Sequence, residues 1–213
     1  MAQSPATQPS NEPVYITYTS GSTGHPKGVM IAQHAVTTGH QVHAMRMRIN
    51  SSSRVLVLAA PAFDMAIENM FMTLFQGACM CVPSDTQKYS IDDLLDFAKT
   101  SRANWMSCTP SYLCLFRSEA LYMMDAVLLG GEPIPRSIVE SYTKCSSQGA
   151  RIPTLMNGFG PSECALGCCI LNEAISPQIS DQCIGEGFRA TTWIVNKDDV
   201  ESLLPIGSTG ELL

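Results

Sequence analysis

Charge is scarce in this sequence. Of its 213 residues only 15% are charged, and nowhere do Lys and Arg form a run able to neutralise several neighbouring phosphates. An extended nucleic-acid surface is thereby excluded as a partner, because such binding draws its affinity from many phosphate contacts. The formal net charge is 13 minus 19, or -6, which leaves room for one small polyphosphate. Long apolar runs are missing too: residues 70–83 are the longest, they are interrupted by Gln76 and Gly77, and a membrane helix needs about 20 residues. That stretch reads as a buried helix followed by a buried strand, and no membrane partner is expected. No secretory apolar segment follows Met1, so the expectation is a cytoplasmic protein. Paired CxxC knuckles are also lacking. The nine cysteines (Cys79, Cys81, Cys108, Cys114, Cys145, Cys164, Cys168, Cys169 and Cys183) are irregularly spaced, which predicts buried reduced thiols and no metal site among them. No internal repeat is visible.

What is present is a 45% hydrophobic composition, enough for one soluble globular unit. Residues 1–13 are polar, carry Pro5, Pro9 and Pro13, and read as a flexible lead-in. From Val14 onward short apolar runs alternate with helical patterns, the signature of an α/β fold with a mostly parallel sheet and crossover helices. Strands are predicted over 14–18, 54–59, 78–82, 104–108, 126–129 and 154–157. Helices are predicted over 34–48, 66–75 (with Gly77 as its stop), 91–100 and 134–148. Ser90 followed by Asp93 marks the start of the third, since the hydroxyl accepts a backbone N–H and the carboxylate suits the positive helix end. His34, His40 and His43 are expected on helix surface. After Pro161 the pattern shifts to short β-like runs at 166–171, 190–195 and 210–213, expected to form a small antiparallel or mixed annex.

The most informative string is Thr19-Ser20-Gly21-Ser22-Thr23-Gly24-His25-Pro26-Lys27-Gly28, directly after the first strand. Its glycines permit tight turns that aim backbone N–H groups at an anion, its hydroxyls add donors, and Lys27 adds charge suited to phosphate. It is not the GxxxxGK[ST] loop, because no Ser or Thr follows a Gly-Lys pair. Two further strings lie downstream: Phe63-Asp64, and Asn157-Gly158-Phe159-Gly160-Pro161-Ser162-Glu163. Leu128-Leu129-Gly130-Gly131-Glu132 and the terminal Gly207-Ser208-Thr209-Gly210-Glu211-Leu212-Leu213 complete the set.

In this order these strings resemble the adenylate-forming superfamily of acyl-CoA synthetases, luciferases and nonribosomal peptide synthetase adenylation domains. The resemblance spans nearly the whole chain. The family's N-x-Y-G-P-T-E appears with Phe159 for Tyr and Ser162 for Thr, which keeps a ring and a hydroxyl. The resemblance implies part of the family's N-terminal subdomain and two ligands, ATP and Mg²⁺. Thr19, Ser20, Gly21, Ser22, Thr23, Gly24 and Lys27 would face the phosphates. Gly131, Glu132, Asn157, Phe159, Gly160 and Ser162 would also line the nucleotide site, with Phe159 on adenine and Ser162 at the α-phosphate. Thr23, Lys27 and Glu163 would be catalytic, and Glu163 would be the Mg²⁺ ligand, a hard oxygen donor.

Asp64 points to the peptide synthetase branch, where the resemblance makes it the anchor for a substrate α-ammonium. The same resemblance gives a pocket of Asp64, Met65, Glu68, Ser107, Leu128, Gly130, Gly158, Leu166 and Gly167. A carboxylate in a dry pocket needs a partner. Glu68 therefore suggests a cationic or donor-rich side chain, ornithine-like, as in a siderophore synthetase. The family usually has its Glu one position later, where this chain has Asn69, so an outward-facing Glu68 is the competing expectation. The implied partners are an amino acid, a peptidyl carrier protein and neighbouring synthetase modules. Residues 14–213 would be the central part of the domain, with the N-terminal region, the ribose-binding Asp and the C-terminal subdomain bearing the catalytic Lys outside it. Little or no adenylation activity is expected of these residues alone. Two alternatives stand: an acyl- or aryl-CoA ligase fragment, and an inactive truncated nucleotide-binding remnant.

Overall fold

The computed structural model describes residues 11–21, 24–38, 40–117, 121–147, 152–165, 167–171, 175, 179, 182–188 and 190–213, with backbone alone at 41 and 145–147. In chain order the elements are β1 (Pro13–Thr19), β2 (Lys27–Ala32), α1 (Gln33–Thr37), α2 (His40–Arg46), β3 (Arg54–Leu56), α3 (Asp64–Phe75) and β4 (Cys79–Cys81). They continue with α4 (Asp85–Lys88), α5 (Ile91–Thr100), β5 (Trp105–Cys108), α6 (Pro110–Leu113), β6 (Ala126–Gly130), α7 (Arg136–Ser147) and β7 (Thr154–Phe159). A 3₁₀ turn (Ser162–Cys164) leads to β8 (Cys169–Leu171), β9 (Glu186–Gly187), β10 (Ile194–Asn196), β11 (Asp199–Leu203) and β12 (Glu211–Leu212).

The expected parallel sheet is present. Seven strands run in the order β4-β3-β5-β6-β7-β8-β9. β4 through β7 are parallel, while β8 and β9 join antiparallel. Side chains on each strand alternate between two cores, as period-2 geometry requires. Met106, Val127, Leu129 and Leu155 face Leu94 and Ala98 of α5 and Ile138 and Val139 of α7. Trp105, Ala126, Leu128 and Met156 face the opposite way, toward Ala44 of α2, Met47 and Met72 of α3. Both faces are covered, which is why these strands read as nearly unbroken apolar runs.

Local signals account for the helix ends. Asp93 N–H donates to Ser90 Oγ (3.3 Å) at the start of α5, as the sequence predicts. Gly77 closes α3 with φ +64°, a region that disfavours side chains, and there its N–H reaches Leu74 O while Ala78 N–H reaches Thr73 O (2.9 Å).

Several expectations are corrected. The first strand is not part of the parallel sheet: β1 pairs antiparallel with β2 in a separate two-stranded hairpin. β2 went unread because half its residues are exposed, leaving only Val29 and Ile31 as a weak alternation. The single helix over 34–48 is two short ones, since Thr38 turns extended at ψ 125°. α3 begins at Asp64 rather than Ala66, and the ladder of the second predicted strand covers 54–56 only. The short helices α4, opened by a Ser84 capping box, and α6, opened by Thr109 and Pro110, were not anticipated. The first annex run joins the main sheet as β8, and a separate three-stranded antiparallel sheet, β11-β10-β12, holds the other two with the unforeseen β11. His43 is buried rather than on helix surface, and Cys114 and Cys164 are exposed thiols rather than buried ones. No described helix is long and apolar enough to cross a membrane.

Leu129 is fully buried at the centre of the sheet. Truncating it to Ala is expected to cost about 2–5 kcal/mol, read as a lower urea midpoint. Tyr89→Ala, on a side chain that is 92% exposed, should stay within about 0.5 kcal/mol.

Candidate functional site

The cavity sits at the carboxyl ends of the parallel strands, the position such sheets favour for ligands. β5, β6 and β7 are aligned so that Ser107 lies beside Leu128 and Gly130 beside Gly158. On the facing helix α3, Asp64, Met65 and Glu68 share one side by their i, i+1, i+4 spacing. Two hydrogen bonds fix that rotation: Asn69 Nδ2 donates to Ser107 Oγ (2.9 Å), and Ser107 Oγ donates to Asn69 Oδ1 (3.1 Å), both fully buried. Glu68 therefore faces inward, and the one-residue offset from the family's usual Glu does not turn it to solvent.

The resulting cavity has a volume of about 990 Å³, at the upper end for small-molecule sites. Its walls contain Asp64, Met65, Glu68, Ser107, Leu128, Gly130, Gly131, Glu132, Asn157, Gly158, Phe159, Gly160 and Gly167. Thirteen residues singled out from sequence thus meet in one place. Ser162 joins them from just outside: its Oγ donates to Asp64 Oδ2. Asp64 is not a helix cap, because the N-cap is Phe63 and no side chain caps the helix. Glu132 is held by the start of α6, accepting from Ser111 N–H (3.1 Å) and Ser111 Oγ (2.8 Å). Asn157 donates from Nδ2 to Cys183 O (2.8 Å). The Phe159 ring is 43% exposed on the wall, a flat apolar surface open to a ligand.

The glycine-rich string closes the β1–β2 hairpin, with Thr19 opposite Lys27 as the last pair. Gly24 N–H donates to Gly21 O (2.9 Å), and a Cβ on Gly21 would fall 2.0 Å from His25 O, so only glycine fits there. Thr19, Ser20, Gly21, Gly24 and Lys27 do not line the cavity, nor does the exposed Glu163. Ser22, Thr23 and Leu166 lie outside the described residues. The hairpin nevertheless docks beside the site: Thr17 Oγ1 donates to Ala62 O (3.4 Å), next to Phe63-Asp64, and Val29 and Ile31 pack with Ala165 just after the 3₁₀ turn.

Sequence reading missed His43, Met47, Tyr112 and Phe188, all on the cavity wall. His43 Nε2 lies 2.6 Å from Glu68 Oε1, both residues are 2% exposed, and the imidazole packs on Phe188 with ring centroids 4.8 Å apart. Glu68 thus already has an imidazole beside it inside the protein, a neighbour that the ornithine-like expectation did not include. The available signal was the spacing of His43 with the apolar Ala44 and Met47, which marks a buried helix side.

Residues 2–213 match the family described as AMP-binding enzyme. An α/β chain with a cavity at its strand ends and a glycine-rich hairpin beside it is therefore placed by sequence as well as by fold: it belongs to the AMP-binding enzyme family. It is 37% identical over its whole length to nonribosomal peptide synthetase vlms of a Lecanicillium species. It is 38% identical over 98% of its length to peramine synthetase A of Epichloe festucae, and 36% identical over 97% to nonribosomal peptide synthetase sidD of Aspergillus fumigatus. It spans only 2%, 7% and 10% of those relatives' lengths. Two solved structures share the fold at 22% identity and a TM-score of 0.79. They are the AMPPNP-bound form of nonribosomal peptide synthetase FmoA3, with 95% of this chain and 22% of that chain covered, and the Vibrio cholerae adenylation domain AlmE in complex with glycyl-adenosine-5'-phosphate, with 96% and 39% covered.

Burial, reinforced by Cys114 and Glu132, pushes the Cys108 thiol up to about 12. Its reactive thiolate appears only as pH approaches that value, so at pH 8 about one part in ten thousand is ionised. Iodoacetamide at pH 8 is expected to label exposed Cys114 well before Cys108, read by peptide mass spectrometry.

Proposed function

We propose that this chain carries the nucleotide- and amino-acid-binding part of an enzyme that makes aminoacyl-AMP from ATP and an amino acid for nonribosomal peptide synthesis. The observation that supports it best is the Asp64–Ser162 hydrogen bond on the cavity rim. It joins the residue suited to a substrate ammonium to the string suited to an α-phosphate, so that the two reacting groups would meet there. The relatives' names point the same way, as do the glycyl-adenosine-5'-phosphate and AMPPNP complexes of the two structural neighbours.

In the proposed reaction a carboxylate oxygen of the amino acid bonds to the α-phosphorus of ATP while the bond to the bridging oxygen breaks and pyrophosphate leaves. Asp64 holds the ammonium, keeping the carboxylate pointed at phosphorus. Phe159 offers its open face to adenine, and Ser162 offers a hydroxyl to the α-phosphate. Thr19, Ser20, Gly21, Ser22, Thr23, Gly24 and Lys27 would meet the outer phosphates from the hairpin. Positioning of this kind accounts for much of such catalysis.

Mg²⁺ would add charge neutralisation on the phosphates. Among the described residues no group of three or more His, Cys, Asp or Glu gathers to hold a metal by itself. The exposed carboxylate of Glu163 fits an ion that keeps most of its sphere for water and substrate phosphate. A carrier protein and other synthetase modules would take the product.

Two probes test this reading by calorimetry on the 213-residue chain: sulfamoyl adenosines bearing an α-aminoacyl group or its des-amino counterpart. The aminoacyl form should bind more tightly. Asp64→Asn should weaken it by about 1.5–3 kcal/mol, roughly 10- to 150-fold, while leaving the des-amino form nearly unchanged. Equal affinity for both probes would favour an acyl-CoA ligase instead.

A further inference from the structure

The floor of the cavity carries an imidazole–carboxylate contact that the proposed chemistry does not use. Glu68 comes from the second turn of α3 and His43 from α2, both line the cavity, and both are 2% exposed. Their side chains meet at 2.6 Å, Nε2 to Oε1. Among the described residues no Lys or Arg stands on the wall; its other carboxylates are Asp64 and Glu132, which accept from Ser162 and Ser111. The guanidinium of Arg46, on the same helix as His43, is 2.5 Å from Glu186.

We infer that His43 is a built-in partner for Glu68, and that this part of the cavity therefore selects an amino acid with an uncharged, hydrogen-bonding side chain over a cationic one. The inference rests on the amino-acid reading above. A buried carboxylate without a partner is costly, and a substrate cation would be welcomed where none existed. Here the partner is already in place and is not easily moved. Ala44 and Met47 anchor the same segment in the core with no exposed area, and the Phe188 ring packs on the imidazole, tilted by 53° with centroids 4.8 Å apart. A substrate cation would have to displace the imidazole or share the carboxylate with it. A neutral amide or hydroxyl, which needs a single hydrogen bond, has no such requirement. Gly167 borders the same carboxylate: a Cβ there would make ordinary contact with Glu68 Oε1, at 3.9 Å. Ser107 has no donor left for a substrate, because its O–H goes to Asn69 Oδ1.

The test uses the 213-residue chain and three calorimetric probes, the glutaminyl, ornithinyl and leucyl sulfamoyl adenosines. The wild type should bind the glutaminyl probe about tenfold more tightly than either of the others, the scale of one charge-assisted hydrogen bond. His43→Gln, which leaves Glu68 uncompensated, should move the glutaminyl-to-ornithinyl ratio about tenfold or more toward ornithinyl. Loss of packing alone would weaken all three probes together and leave that ratio fixed. A wild-type preference for ornithinyl or leucyl overturns the inference, and so does a ratio unmoved by His43→Gln. Failure of all three probes together with free adenosine sulfamate overturns the adenylation reading itself, and the inference with it.

Discussion

Between α3 and β5 a single buried contact sets the geometry of the site. Asn69 and Ser107 exchange hydrogen bonds in both directions, so neither polar group is left unsatisfied in the core, and the helix is held at one rotation against the sheet. Turning α3 by one residue so that Glu68 met Ser107 would bury a carboxylate between helix and sheet and bring Ile67 to the cavity side in its place. The sheet contributes the other half of the constraint. Because its faces alternate, Leu128 must point to the cavity side if Leu129 fills the opposite core. Carboxylate, aliphatic floor and glycine rim follow from those two facts together.

The parallel sheet was legible in the sequence because its inner strands are apolar on both faces and bounded by turns. The string 126–129 needed no context to be read as a buried strand, and Ser90 with Asp93 fixed the start of α5. The hairpin was harder. β2 has two buried residues in six, and its strand character comes from pairing with β1, which local composition does not encode. The same holds for α1 and α2, whose break follows from the extended backbone at Thr38.

Among site residues, those carried by contiguous strings came through: Asp64, Gly130, Gly131, Glu132, Asn157, Gly158, Phe159 and Gly160 share one wall. His43 did not, since nothing beside it in the chain announces chemistry. Its meaning arises only when α2 and α3 pack, bringing together an imidazole and a carboxylate from separate helices. Glu68 read alone demanded a partner from outside; packing sets the His43 imidazole 2.6 Å from it. Pairing between elements can thus invert a specificity argument built on one residue at a time.

The hairpin and the cavity are tied by a similar long-range contact. Val29 and Ile31 pack on Ala165, which follows the 3₁₀ turn bearing Ser162 and Glu163. Ala165 holds a left-handed backbone at φ 52°, a conformation that costs a non-glycine residue roughly 1 kcal/mol or more and persists only where surrounding packing imposes it. The methyl group supplies that packing, filling the small apolar cluster beneath β2. Glycine would relax the backbone and empty the contact; a larger residue would push the hairpin outward. Packing of Val29 and Ile31 on Ala165 therefore ties the glycine-rich hairpin to the turn that carries Ser162, whose hydroxyl reaches Asp64.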